Sequence, residues 1–265
     1  MVDDTDHSNL VFHEYLGEGR YGRVDRVTFK KPYRGYTEAA AKTIISFRKE
    51  EVEILSKLSH PNIVKWIGFC QHEPVHIILT EYAKNGSLRA YLSNKANSLS
   101  DNLKLKWIRE SALAIQYLHD NRCLHRDIKG SNCLLSKDNT LILCDFGLAR
   151  EIDHSIIISS QKGTSAYMAP EIIRTDQNNK ATFSIYTDIY AYGMLVHEIW
   201  TRNLPFPDLE SGCIMYQVGE YQLQLDIAPD TPEDLAEIMR NCWKITPDER
   251  PKIEEIVAIV EGKHI

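Results

Sequence analysis

Three glycines, a lysine and a set of hard oxygen donors stand in an order suited to handling a phosphorylated ligand. Gly17, Gly19 and Gly22 fall in the stretch from Leu16 to Val24 (LGEGRYGRV), where a backbone without Cβ atoms can lie close over phosphates. Lys42 ends the apolar strand pattern Ala39-Ala40-Ala41-Lys42, which would carry its ammonium from a strand into a cleft. His125-Arg126-Asp127-Ile128-Lys129-Gly130-Ser131-Asn132 and Asp145-Phe146-Gly147 follow, and Ala169-Pro170-Glu171 closes the series. Carboxylate and amide oxygens suit Mg²⁺, which keeps several waters and binds through few protein groups plus phosphates. A lone glycine triplet also occurs in dinucleotide-binding turns and ordinary loops, and a lone Asp-Phe-Gly is an ordinary turn. The order decides here: Asp145 stands thirteen residues after Asn132, with the apolar Leu141-Ile142-Leu143 leading into it.

The elements that must position these groups change character along the chain. Val11 to Tyr15, Val24 to Phe29 and Glu38 to Ile44 read as strands bounded by Gly or Lys-Pro turns. A helix is expected from about Phe47 to Leu58, then strands over Ile63 to Cys70 and His76 to Glu81. Asn85-Gly86-Ser87 reads as a turn, and beyond it the pattern is helical. Leu105, Ile108, Ala112, Ile115 and Leu118 form a stripe near the 3.6 period within Leu103 to His119, and Ile189 to Trp200, Leu235 to Trp243 and Ile253 to Val260 continue it. A strand-rich part joined to a helix-rich part near Glu81 to Lys84 predicts an α+β protein of two lobes with a cleft between them.

Bulk properties bound the function. The 265 residues can bury a large core, and 37 acidic against 31 basic residues give a net charge of -6, so no basic footprint for nucleic acid is present. No apolar stretch approaches the roughly 18 residues of a membrane span, and Met1 to His7 is polar and acidic, unlike a signal peptide. The six cysteines are scattered without a C-x-x-C pair, so buried thiols in a reducing cytoplasm are expected over a zinc site at Cys123, His125 and Cys133.

The four motifs in this order, closed by Ala169-Pro170-Glu171, make the signature set of protein kinases, and the chain resembles a protein kinase catalytic domain from Leu10 to Val260. The resemblance implies a bilobal domain over 10–262, with a sheet-rich lobe to about 82, a hinge at about 81–84 and a helical lobe over 85–262. It implies ATP and Mg²⁺ as ligands. Lys42 would hold the α- and β-phosphates and pair with a helix glutamate. Glu50, Glu51 and Glu53 are candidates, and Glu51 is expected because it falls on the inward stripe of Phe47, Leu55 and Leu58 and nine residues before His60-Pro61-Asn62. Asp127 would receive the substrate hydroxyl proton, and Asn132 and Asp145 would hold the metal. Leu16 joins the nucleotide site, Val24, Ala40 and Leu134 would sandwich the adenine, Thr80 would guard the back of the pocket, and Glu81 and Ala83 would read adenine through their backbone. Leu55, Trp66, His125 and Phe146 would stack in the active state, Asp188 would anchor the catalytic loop, and Glu171 would pair with Arg250.

Lys129, two residues after Asp127, and Gly163-Thr164 before Ala169 are features of serine/threonine kinases. Glu50 to Asn62 (EEVEILSKLSHPN), Thr80 to Leu88 (TEYAKNGSL), Cys144 and Gly163 to Glu171 (GTSAYMAPE) resemble mixed-lineage kinases of the ZAK type. That implies a protein substrate, a downstream kinase of the MAP kinase kinase class. No leucine zipper or sterile-alpha motif is visible, so a catalytic fragment or a stand-alone relative is expected. Two departures stand out: Lys42 and Glu51 are only nine residues apart, and a polar insertion centres on Asp176 to Lys180. Ser160, four residues before Thr164, is the expected activating phosphosite, with Arg126 and Arg150 converging on it. The rival readings are a tyrosine or dual-specificity kinase, a pseudokinase scaffold, and a dehydrogenase, which would need a helix after Gly22 where a strand is read.

Overall fold

The computed structural model describes residues 9–19, 22–31, 35–44, 49–72, 75–152, 156–158, 164–174 and 181–262. The first part is a five-stranded antiparallel sheet of β1 (Leu10–Gly19), β2 (Gly22–Lys31), β3 (Gly35–Ile44), β4 (Trp66–His72) and β5 (Val75–Thr80), ordered β1-β2-β3-β5-β4. Period-2 alternation separates its faces. Val27, Phe29, Ala39, Ala41, Ile77 and Leu79 share one side, in a small core of their own with Leu10 and Cys70. Val24, Ala40, Lys42, Ile78 and Thr80 share the other, fixed by the partners Val24↔Lys42, Lys42↔Ile78 and Ala40↔Thr80.

Helix α1 (Lys49–Lys57) lies between β3 and β4 in the chain and buries Glu51, Val52, Ile54 and Leu55. Its acidic first turn and basic last turn complement the helix dipole. The helix starts at Lys49, and Phe47 lies outside the described residues. The strand expected from Ile63 begins at Trp66. Ile63 makes only an isolated bridge to Leu143, because Asn62 and Val64 exchange backbone hydrogen bonds with Leu143 of the other lobe.

The second part comprises α2 (Leu88–Ser93), α3 (Asp101–Asp120), α4 (Pro170–Ile173), α5 (Ile185–Thr201), α6 (Ser211–Tyr221), α7 (Glu233–Cys242) and α8 (Ile253–Glu261). Three two-stranded ladders join it: β6 (Cys123–Leu124) with β9 (Arg150–Glu151), β7 (Cys133–Leu135) with β8 (Leu141–Leu143), and β10 (Ile156–Ile158) with β11 (Ala181–Phe183). Helix α5 is buried on all sides from Thr187 to Trp200, so the other helices pack around it rather than beside it. The Asn85-Gly86-Ser87 turn proves to be a helix start as well: the Ser87 hydroxyl accepts from the Ala90 N–H at 3.2 Å and caps α2. Among the described residues, no helix is long and apolar enough to cross a membrane.

Candidate active site

A cleft of about 1010 Å³ separates the sheet from the helices. The sheet face carrying Val24, Ala40, Lys42 and Thr80 forms its roof, with Leu16 and Gly17 at the β1 edge and Ala83 and Leu134 at the mouth. Glu81 is not among its lining groups. Its carboxylate accepts from the Lys65 N–H at 2.7 Å, and its own N–H donates to the Lys65 carbonyl at 3.0 Å. Gly17 and Gly22 of the hairpin differ in what they require. A Cβ on Gly22, at φ +154°, would lie 2.1 Å from the Thr43 carbonyl oxygen, so strand β3 itself demands glycine there. A Cβ on Gly17 would meet nothing within 4 Å. Gly19 ends β1 opposite Gly22.

Lys42 sits at the centre. Its ammonium donates to Glu51 Oε1 at 2.7 Å and to Asp145 Oδ1 at 2.8 Å. Glu51 is buried, whereas Glu50 is exposed and Glu53 pairs with Lys49 at the surface. Burial works against the Lys42 charge, but the Asp145 and Glu51 carboxylates outweigh it and hold the lysine pKa above its ordinary value. Burial likewise opposes ionisation of Asp145, and the Lys42 ammonium reverses this, holding the carboxyl below the usual range. Asp145 has φ +61° and Arg126 φ +68°, so two non-glycine residues of the site occupy the left-handed region. Each such residue costs on the order of 1 kcal/mol and persists where surrounding contacts dictate it.

Those contacts are visible. The buried Asp188 of α5 accepts from the backbone N–H groups of His125 and Arg126, both at 2.9 Å, and lies 3.2 Å from His119 Nε2. Burial pushes the Asp188 carboxyl up, but His119, His125 and the Arg126 N–H overcome this and hold its pKa low. His125 Nε2 is 3.0 Å from the Cys144 carbonyl, and its ring meets Phe146 edge-on with centroids 5.1 Å apart. Leu55 is buried in the same core, and Trp66 packs partly buried against it.

On the floor, Asp127 Oδ2 accepts from Lys129 Nζ at 2.7 Å and from Asn132 Nδ2 at 2.9 Å. Lys129 also reaches Thr164 Oγ1 at 2.7 Å, and the Thr164 hydroxyl lies 3.4 Å from Asp127 Oδ1. Asp127, Lys129, Asn132 and Asp145 all face the cleft. Among the described residues, no cluster of three or more His, Cys, Asp or Glu exists that would cage a metal. A donor set of one carboxylate and one amide fits a Mg²⁺ completed by phosphate oxygens and water.

Arg126 places its guanidinium 4.1 Å from the Phe183 ring centroid, and Arg150 donates to the Ala149 carbonyl at 2.6 Å. The β6–β9 ladder sets Arg150 opposite Leu124, two residues before Arg126. Ser160 lies outside the described residues, as does the segment 175–180. In the lower lobe, Arg250 grips Glu171 with two bonds of 2.7 and 2.8 Å.

One group escaped the sequence. Glu198 is fully buried in α5 and accepts from Tyr167 Oη at 2.7 Å, the Gly130 N–H at 3.0 Å and Arg89 at 3.3 Å. It ties α2, the loop at Gly130 and the turn at Ser165–Tyr167 to one carboxylate, and burial raises its pKa. A Cβ on Gly130 would meet that carboxylate at 2.5 Å. The available signal was an acid at the end of the apolar run from Ile189 to Trp200.

Residues 10–260 match the family described as protein tyrosine and serine/threonine kinase. Among curated relatives, the chain is 31% identical to mitogen-activated protein kinase kinase kinase zak-1 of Caenorhabditis elegans, over 97% of this chain and 35% of that protein. It is 31% identical to mitogen-activated protein kinase kinase kinase 13-B of Xenopus laevis, over 92% and 24%. It is 32% identical to the human tyrosine-protein kinase Fer, over 94% and 30%. The chain therefore spans about a quarter to a third of the length of these relatives.

Proposed function

The chain belongs to the protein tyrosine and serine/threonine kinase family, and from that premise we propose that it transfers the γ-phosphoryl group of ATP to serine and threonine hydroxyls of a protein substrate. The observation that carries this is the grouping of Lys129, Asn132 and Thr164 around Asp127. Asp127 orients the acceptor hydroxyl and takes its proton as the new oxygen–phosphorus bond forms and the bond to the departing diphosphate breaks. Lys129 sits where it offsets charge gathering on the transferred group. Lys42, fixed by Glu51, binds the remaining phosphates. Mg²⁺ held by Asn132 and Asp145 would neutralise the phosphate oxygens. The sheet face with Val24 and Ala40, closed by Leu134, takes the adenine. Leu16, Thr80 and the Glu81 and Ala83 backbone complete that pocket.

The names of the Caenorhabditis and Xenopus relatives favour a downstream MAP kinase kinase as substrate, and the likeness to Fer keeps tyrosine as the second reading. Lys129 bridging Asp127 to Thr164 supports serine and threonine over tyrosine. Matched peptides differing only in Ser, Thr or Tyr, assayed with radiolabelled ATP, test the choice. Transfer to the Ser and Thr peptides is expected, and a clear preference for the Tyr peptide would overturn the reading.

A further inference from the structure

The roof of the cleft runs outward into charged side chains that the phosphate chemistry leaves unused. Arg26 stands two residues beyond Val24 on β2, and Glu38 two residues before Ala40 on β3, so both share the sheet face that forms the roof. On β1 the register slips between Phe12 and Tyr15, which sets His13 and Glu14 together opposite Arg26. An extra residue of this kind interrupts the ladder and weakens the backbone grip of β1 on β2. Side chains take over at that point. Arg26 Nη2 donates to Glu14 Oε2 at 2.8 Å, with Nε also 2.8 Å from Oε1, and Nη1 donates to Glu38 Oε1 at 2.9 Å.

The same guanidinium reaches the chain at the cleft mouth. It lies 5.9 Å from the Tyr82 ring centroid, and the Tyr82 hydroxyl donates to Glu14 Oε1 at 3.4 Å. Lys84 Nζ stands 3.5 Å from Glu38 Oε2. Tyr82 and Lys84 flank Ala83 and line the cleft with it, whereas Glu14, Arg26 and Glu38 are not among its lining groups. A lone exposed ion pair contributes little, because side-chain entropy and solvent offset its attraction. Arg26 is better held: its side chain is 23% exposed, it meets Glu14 as a fork, and Glu38 and the Tyr82 ring fix it from further sides. It thereby joins three strands of the roof to the segment at the mouth. Beyond Glu14 and Arg26 the same two strands continue to Leu16, Gly17, Gly22 and Val24, so the glycine hairpin is the far end of what Arg26 holds.

We propose that Arg26 is a positioning residue for nucleotide retention: held on Glu14 and Glu38 and seated at Tyr82, it sets the gap between the β1–β2 roof and the Tyr82–Lys84 segment, and so slows the release of adenine nucleotide. This rests on the proposed use of ATP in the cleft. Because Glu14, Arg26 and Glu38 lie outside the lining, they act through Leu16 and Val24 on the roof and Ala83 at the mouth. A roof cut free of Tyr82 still admits a nucleotide but holds it for less time, so dissociation changes more than association. The bonds of these groups run to one another, to Tyr82 and to Lys84, not to the groups around Asp127. Their effect therefore belongs to nucleotide binding rather than to the transfer step.

The test follows release of N-methylanthraniloyl-ADP by stopped-flow fluorescence from the wild-type chain, Arg26→Met, Glu14→Gln, the two combined, and Arg26→Lys. Methionine keeps the apolar length of the arginine stem, and thermal midpoints show which variants fold. Release should be about fivefold faster in Arg26→Met and about threefold faster in Glu14→Gln, with association within about twofold of wild type. The combined variant should be no faster than Arg26→Met alone, because both substitutions break one contact. Arg26→Lys, which keeps the charge but not the fork, should recover part of the loss. In steady state the change should appear in KM for ATP rather than in kcat. Should Arg26→Met fail to fold, Glu14→Gln, which preserves shape, decides the matter. Release at the wild-type rate in these variants, or effects that simply add, would overturn the proposal. A fall in kcat with release unaltered would also overturn it, by giving Arg26 a part in the transfer itself. If the wild type binds neither labelled ADP nor ATP, the ATP reading falls and this proposal with it, whereas normal binding that ignores Arg26 removes this proposal alone.

Discussion

At the scale of single residues, the geometry turns on one ammonium shared by two carboxylates. Lys42 bonds Glu51 and Asp145 at nearly equal distances, so it links the helix α1 to the loop that carries Asp145. Because its pKa is raised, the stability this contact gives is present below the ordinary lysine value and is lost only as pH rises past it, above about 10.4. Asp145→Asn removes the charge that would hold Mg²⁺ while leaving Glu51 to satisfy Lys42. Turnover should fall by about 10³-fold or more, with the thermal midpoint close to wild type. Steady-state kinetics on the folded variant decide it, and near-normal turnover would refute the metal role of Asp145. Lys42, Glu51, Asp127, Asn132 and Asp145 were singled out by type and spacing in the sequence, and the fold brings all five to one cleft. Glu198 was not legible. One acid near the end of an apolar run gives no spacing to read, and its partners Arg89, Gly130 and Tyr167 come from three distant segments.

At the scale of elements, the loop from His125 to Asn132 is held by a carboxylate from the most buried helix. Asp188 accepts from two successive backbone N–H groups and thereby fixes the left-handed turn at Arg126. Asp188→Asn keeps one acceptor but sets an amide N–H against a donor, at a cost of about 1–3 kcal/mol at neutral pH. Since the Asp188 pKa is lowered, its contribution is present above the ordinary aspartate value of 3.8 and fades as pH falls through the native value. Urea unfolding of wild type and variant should therefore differ at pH 7 and converge below about pH 3.9. A constant gap across that range would show that Asp188 acts through shape alone. Helices α3, α5, α7 and α8 were visible from their helical pattern, whereas α6, with 11 residues, was not read in the sequence. Helix α2 has only six residues and too few turns to display a period, and β6, β9, β10 and β11 are two or three residues long. Such strands exist only because a distant partner pairs with them, which no local pattern encodes.

At the scale of the whole molecule, the lower lobe is closed by Arg250. Its side chain is wholly buried, forks onto Glu171, and donates to the carbonyls of Tyr186, Lys244 and Ile245. Its guanidinium also lies 5.1 Å from the Tyr190 ring centroid. Arg250→Ala leaves several acceptors unmet and a carboxylate without its cation, so a loss of about 3 kcal/mol is expected. In a chain of this size that lowers Tm by about 6–12 °C. Scanning calorimetry would measure it, and a shift under 2 °C (about 0.5 kcal/mol) would mean that the fork is dispensable. The resemblance named Glu171 and Arg250 as partners, but the carbonyls that share the guanidinium became visible only in three dimensions.

The ladder of β10 with β11 bears on how the chain can vary. Ile158 pairs with Ala181, so the stretch containing Thr164, the Ser165–Tyr167 turn and α4 is a loop whose two ends are clasped together. The entropy of closing such a loop grows only with the logarithm of its length, about 0.6 kcal/mol per doubling. Residues inserted between Arg174 and Ala181 therefore lengthen a circuit that is already closed, at a small fraction of 1 kcal/mol each, without moving its ends. Length in this segment is close to thermodynamically neutral, and descendants of this sequence are free to lengthen or trim it while Thr164 keeps its place beside Asp127.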